Sequence, residues 1–165
     1  MSGPQRPAGP SRGGWSPLAL AALVLSLDQL SKALALSQLP AGLPRPLLPG
    51  LLRLQRVSNT GAAFSLFSGN TGLLTLISGL VCAGLLIWLW RHPPRSRWQA
   101  MALGLLLGGA AGNGLDRLRL GAVVDFLEFV PFPFPIFNLA DVAINLAVIC
   151  LVIDLLRQPG DRAQA

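Results

Sequence analysis

Residues 121–156 read GAVVDFLEFVPFPFPIFNLADVAINLAVICLVIDLL. From Leu139 to Leu156 the run is long enough to cross a bilayer as a helix, at about 1.5 Å per residue. The run before the proline-rich stop PFPFP is β-branched and aromatic, which is a strand composition. Each of the two carries an acid that its surroundings should exclude. Asp125 stands among the apolar residues of GAVVDFLEFV, and Asp141 stands just inside the helical run. A charged side chain at a bilayer centre costs about 2.5–3.5 kcal/mol. Carboxylates kept in such places usually face an interior cavity and do chemistry there.

Three further apolar segments precede this one, at about 17–39, 73–90 and 98–115. Each has the length of a membrane-crossing helix. The composition agrees: 52% of the 165 residues are hydrophobic and 12% are charged, with a mean hydropathy of +0.57. The expected fold is an all-α membrane protein of four transmembrane helices with a small extracytoplasmic β element. Residues 15–157 form its one membrane domain. The Pro-, Gly-, Ser- and Arg-rich residues 1–14 read as a disordered cytoplasmic tail, and residues 158–165 as a second cytoplasmic tail. The first apolar run also admits a signal-peptide reading. Asp28 and Lys32 weigh against it, because they lie four apart and pair on one helix face.

Four crossings put both termini on one side. Arg6, Arg12, Arg91, Arg95, Arg97, Arg157 and Arg162 crowd the termini and the short 91–97 loop. Arg45, Arg53, Arg56, Arg117 and Arg119 are spread over the longer loops opposite. Both termini are therefore expected in the cytoplasm. Trp15, Trp88, Trp90 and Trp98 fall at the same ends, as an aromatic belt does. The net charge of +6 follows from these loops. No basic stripe with interleaved aromatics accompanies it, so nucleic acid is not an expected partner. The outer loops span about 40–72 and 116–138. LLRLQRV at 51–57 alternates like a strand, and with GAVVDFLEFV it predicts a small antiparallel sheet at the membrane surface.

This topology gathers polar residues at one face. Asn113 and Asp116 close the third helix, Asp125 lies in the loop that follows, and Asn138 and Asp141 open the fourth. Asn59 lies in the other outer loop, with Asp28 and Lys32 a few turns below. Two acids without metal ligands or a nucleophile suggest one chemistry: one carboxyl stays protonated and polarises a carbonyl, while the other, ionised, takes a proton from water. Cys82 and Cys150 lie in apolar spans, and the single histidine, His92, sits in an Arg-rich loop. No metal or organic cofactor is implied.

DQLSK at 28–32, NTGAAF at 59–64, GGAAGNGLDR at 108–117, VVDF at 123–126 and FNLAD at 137–141 resemble bacterial lipoprotein signal peptidase, also called signal peptidase II. The five blocks keep the family's order and cover about residues 17–156. Ser31 stands where the family commonly has Thr, and keeps the hydroxyl. The resemblance implies an aspartic endopeptidase of the bacterial inner membrane, with its active site at the outer face. Its substrate would be a prolipoprotein, cut N-terminal to a diacylglyceryl-modified cysteine. Matched block by block, Asp125 and Asp141 would be the catalytic pair. Asn59, Gly61, Asn113, Arg117 and Asn138 match positions lining the substrate site, and Asp28 and Asp116 match polar positions that support it.

Several of these residues admit plainer roles. Asp116 fits a simple arginine pair, Asn113 a helix end, Asn138 an N-cap, and Lys32 a snorkelling side chain. Asp154, beside Arg157, fits a solvated cytoplasmic end. The glycines and alanines of 108–112 fit tight helix packing as well as room for substrate. Residues 58–69 are expected to form a mobile lid, with Phe64 packing on the substrate and Asn59 bonding its backbone. A monomer in the lipid bilayer is expected. The rival use of such carboxylates is a proton relay in a small ion-coupled transporter. That use needs polar residues along the whole path, whereas the cytoplasmic halves of these spans are almost purely apolar.

Overall fold

The computed structural model describes residues 16–61 and 69–157. The expected tails at 1–14 and 158–165, together with Trp15, Phe64 and most of the expected 58–69 lid, lie outside the described residues. In chain order the elements are α1 (Pro17–Gln38), β1 (Arg45–Leu48), β2 (Leu52–Asn59), α2 (Thr71–Arg91), α3 (Arg97–Leu120), β3 (Val123–Phe129) and α4 (Leu139–Leu156).

Local chemistry sets the helix ends. Pro17 opens α1, where its missing N–H costs nothing and its fixed φ is already helical. Ser96 caps α3 by accepting from the Gln99 N–H at 3.0 Å. Gly121, at φ 71°, ends α3 with its N–H on the Arg117 carbonyl at 3.1 Å. The left-handed conformation there is the one glycine adopts without strain. Asn138 and Asp141 close a reciprocal capping box at the start of α4.

Three helices are long and apolar enough to cross a membrane: α1, α2 and α4. α3, the third of the four expected crossings, is not among them by composition. Its position explains its composition. α3 packs against all three other helices, and its buried residues include Gly104, Gly108, Gly109, Gly112, Asn113 and Asp116. These contacts demand small side chains more than apolar ones. A β-carbon at Gly108 would fall 2.7 Å from the β-carbon of Val24, and one at Gly109 would fall 2.7 Å from the Ala140 carbonyl oxygen. α2 is the converse, with only Leu74 buried among its described residues.

The three strands form one antiparallel sheet in the order β1-β2-β3. β1 is an addition to the two expected strands; its sequence RPLL, proline included, carries little strand signal. β2 runs to Asn59 rather than Val57. Leu54 pairs with Leu127 and Val57 with Asp125, so one extra residue bulges on β2 between them. The bulge changes which face the later residues present. After it, Asn59 pairs with Val123, two residues from Asp125 and on the same face. Phe126 packs with Ala35 and Leu39, joining the sheet to the C-terminal end of α1.

α3 continues five residues past the expected end at Leu115, so Asp116 does not close it. A charged residue marks a helix end only when it is exposed. Asp116 is 3% exposed and faces inward.

Candidate active site

The site forms where the start of α4, the C-terminal part of α3 and the sheet meet. Phe137 extends the sheet: it donates to the Leu127 carbonyl at 2.9 Å, and its own carbonyl accepts from the Phe126 and Leu127 N–H groups. That pairing fixes Asn138 beside β3. Asn138 is fully buried and makes two kinds of bond at once. Its Oδ1 accepts from the Asp141 N–H at 3.0 Å as a helix cap. Its Nδ2 donates to Asp125 Oδ1 at 2.6 Å and to Asn113 Oδ1 at 3.1 Å. The N-cap role and the site role are therefore both filled by one side chain.

Asp125 accepts a second bond, from Asn59 Nδ2 at 2.9 Å. Asp141 accepts from Asn113 Nδ2 at 2.8 Å and from the Asn138 N–H at 3.2 Å. Both carboxylates are thus held by amides, and neither forms an ion pair among the described residues. Asp125 is 3% exposed. Burial pushes its carboxyl from the ordinary 3.8 up to about 6; the Asn59 bond opposes this, the nearby Asp141 charge adds to it, and Asn138 and Lys32 pull it down. Asp125 and Asp141 both line one cleft of about 870 Å³, together with Asn59, Asn113 and Arg117.

Behind this pair lies a second polar layer. Lys32 Nζ is 2.8 Å from Asp28 Oδ2 and 3.0 Å from Asp116 Oδ2, and donates to Asn113 Oδ1 at 2.9 Å. Lys32 and Asp28 are 2% and 0% exposed. Lys32 therefore does not snorkel outward, and the partner of Asp116 is this lysine rather than an arginine. The two carboxylates of the layer also take backbone hydrogen bonds. Asp28 Oδ1 accepts from the Ala140 N–H at 2.9 Å, and Asp116 Oδ2 from the Val124 N–H at 3.1 Å. The layer so fixes the backbone next to each candidate acid, Ala140 before Asp141 and Val124 before Asp125. Gly112 makes room for it: a β-carbon there would collide with the Asp28 carboxylate.

Arg117 Nη2 donates to the Gly61 carbonyl at 2.8 Å, and the Gly61 N–H donates to Asn59 Oδ1 at 2.9 Å. The end of β2 is thereby tied to α3 beside the cleft. Asp154 lies at the opposite end of the bundle, where it accepts a bond from the Ser96 hydroxyl, so it is more engaged than a solvated helix end. One residue of the polar layer escaped the sequence reading. Gln29 donates to Asp116 Oδ1 at 2.9 Å and to the Gly112 carbonyl at 3.3 Å. Its signal was its place beside Asp28 in an otherwise apolar helix.

A family model described as signal peptidase (SPase) II matches residues 20–157. The chain belongs to the signal peptidase II family. It is 57% identical over 145 residues to the lipoprotein signal peptidase of a Synechococcus species, covering 87% of this chain and 95% of that one. It is also 57% identical over 138 residues to that of Parasynechococcus marenigrum, covering 84% and 87%. Among solved structures, a bacterial membrane enzyme determined by the in meso method at 2.3 Å resolution superposes with a TM-score of 0.82 at 28% identity, covering 90% of this chain and 92% of that one. Membership makes the chain a membrane protease, and the five sequence blocks that carried the resemblance all lie within the matched span.

Proposed function

We propose that the protein is an aspartic endopeptidase that removes the signal peptide of prolipoproteins, cutting N-terminal to a cysteine that already carries diacylglycerol. The observation that carries this reading is the pair Asp125 and Asp141, lining one cleft and held by amides rather than by cations. Two such carboxyls share one proton, because two close negative charges do not persist together. Asp125, the less exposed of the two acids, holds that proton in this reading and donates it to the scissile carbonyl oxygen. Asp141 takes a proton from water as the water oxygen attacks the carbonyl carbon. The tetrahedral species then collapses: the C–N bond breaks, Asp141 gives its proton to the leaving amine, and Asp125 regains one from the new carboxyl. Asn59, Gly61, Phe64, Asn113, Arg117 and Asn138 form the substrate site in this reading. Asp28, Lys32 and Asp116 hold the backbone on which the two acids stand.

In this reading residues 15–157 are one membrane domain in the inner membrane. α3 is the fourth crossing, screened from lipid by its three neighbours. Arg91, Arg95, Arg97 and Arg157 mark the cytoplasmic end, which leaves the acids at the outer face. Membership of a peptidase family disfavours the proton-relay alternative. The direct test is incubation of the purified protein in detergent with a diacylglyceryl prolipoprotein. The expected result is a single cut before the modified cysteine. No cut, or one elsewhere, would overturn the reading.

A further inference from the structure

Asn145 is a polar residue that neither layer of the site uses. It stands four residues beyond Asp141 on α4, hence on the same face and about 6 Å further along the helix axis. One Nδ2 hydrogen goes to the Asp141 carbonyl, at 2.8 Å. The side chain is exposed and lines the same cleft as the two acids. Its neighbours there, Val142, Ile144 and Leu146, are all apolar, and α4 as a whole is apolar enough to lie in hydrocarbon. An amide with spare hydrogen-bonding capacity is unfavourable in that setting unless something in the cleft completes it.

The occupant follows from depth, and the argument rests on the proposed activity. With the scissile bond at Asp125 and Asp141, the cysteine sulfur and its glycerol carbons run from the acids toward the membrane interior. The two ester carbonyls then lie about one helical turn deeper than the dyad, the separation of Asp141 and Asn145. An ester carbonyl accepts hydrogen bonds and donates none, which suits the second Nδ2 hydrogen.

We propose that Asn145 reads the lipid of the substrate, donating a hydrogen bond to an ester carbonyl of the diacylglyceryl group. It is a binding residue and takes no part in bond cleavage. The test compares two synthetic peptides spanning the cleavage site, one with a diacylglyceryl cysteine and one with the dialkyl ether analogue, which lacks both carbonyls. Full-length wild type and Asn145→Leu are assayed on each in the same detergent. Wild type should show a KM about three- to tenfold lower for the ester, the range one hydrogen bond supplies. Asn145→Leu should lose that preference, its ester KM rising to the ether value while kcat and the ether KM stay unchanged. The ether substrate thus reports on folding within the same experiment. An undiminished ester preference in Asn145→Leu, or an equal loss on both substrates, overturns the proposal. If wild type cleaves neither peptide, the proposed activity itself fails and this assignment falls with it.

Discussion

The molecule holds two sets of carboxylates in adjoining layers, linked through Asn113, and treats them oppositely. Asp28 and Asp116 share one lysine, Lys32, at 2.8 and 3.0 Å, and they also accept from backbone N–H groups and Gln29. Asp125 and Asp141 have only amides, and they open onto the cleft. A charge matched by a buried cation is fixed in its place. A charge held only by neutral donors is poised to gain or lose a proton. In one bundle, therefore, the partner of a buried acid separates a scaffold from a reactive group, and burial alone does not.

The strongest way to break this comparison is to neutralise the reactive pair. Asp125→Asn and Asp141→Asn should each lower kcat by roughly 10²–10⁴-fold, the usual contribution of a positioned acid or base. The double variant should cost little more than either single one, because the two act as a unit. The unfolding midpoint in detergent should fall less than on loss of a buried cation, since each variant gives up one accepted hydrogen bond but no ion pair. Single-turnover cleavage of a diacylated substrate, run beside a thermal melt, checks both halves. Turnover near wild type in either variant would end the assignment.

The scaffold set should respond in the reverse sense. Lys32→Met leaves Asp28 and Asp116 buried without their cation, which costs about 3–5 kcal/mol when one partner of a buried pair is removed. Thermal unfolding in detergent should show the loss as a clear fall in midpoint, with activity lost in proportion to the unfolded fraction at the assay temperature. A variant that melts like wild type but cannot cleave would move Lys32 from the scaffold into the chemistry.

Much of this division was legible before folding, and the limits of that legibility have physical causes. Asp125 and Asp141 stood out because an acid in an apolar run has few explanations. α1, α2 and α4 stood out because lipid-facing helices are apolar on every side. α3 was legible only as a segment. Its true end at Leu120 and its central place depend on what Gly108, Gly109 and Gly112 approach, and no single-segment pattern records that. The Asp28–Lys32 pair was visible from its spacing, but its extension to Asp116 joins residues 84 positions apart. The bulge that turns Asn59 toward Asp125 coincides with two successive polar residues, Gln55 and Arg56, but that break in alternation does not say which partner the later residues face. Gln29 and Asn145 were overlooked for another reason: an isolated amide in a helix is ambiguous until its neighbours are known.

A finer probe separates the Asp125 carboxyl from its surroundings. Its value of about 6 against an ordinary 3.8 means that between these limits the folded protein holds a proton the unfolded chain releases. Stability from this group is therefore fully present below about pH 3.8 and is lost as pH rises through about 6. Cleavage should fall over the same alkaline limb as the shared proton leaves the pair. Asn59 donates to the carboxylate and so favours its ionised form. Asn59→Leu should shift the limb upward by about one unit, since a bond of about 1.5 kcal/mol to a charged group corresponds to that change. A pH profile of kcat from 4 to 9 on both proteins measures it. A limb that stays in place, or moves down, would detach Asn59 from Asp125.

Glu128 offers the smallest effect and a control for the whole comparison. It lies on β3, three residues beyond Asp125. Arg53 meets it in a two-pronged pair, with Nε and Nη2 each 2.5 Å from a carboxylate oxygen, and that bond holds the Glu128 carboxyl below its usual range. The pair is partly open to solvent, where water and salt screen most of its attraction. Glu128→Gln should therefore leave kcat and the position of the alkaline limb at wild-type values and shift the melting midpoint only marginally. If this change impaired cleavage as severely as Asp125→Asn, strand position rather than the chemistry of the partner would govern the acids of β3. If it lowered stability as much as Lys32→Met, burial would not be what separates a costly pair from a cheap one.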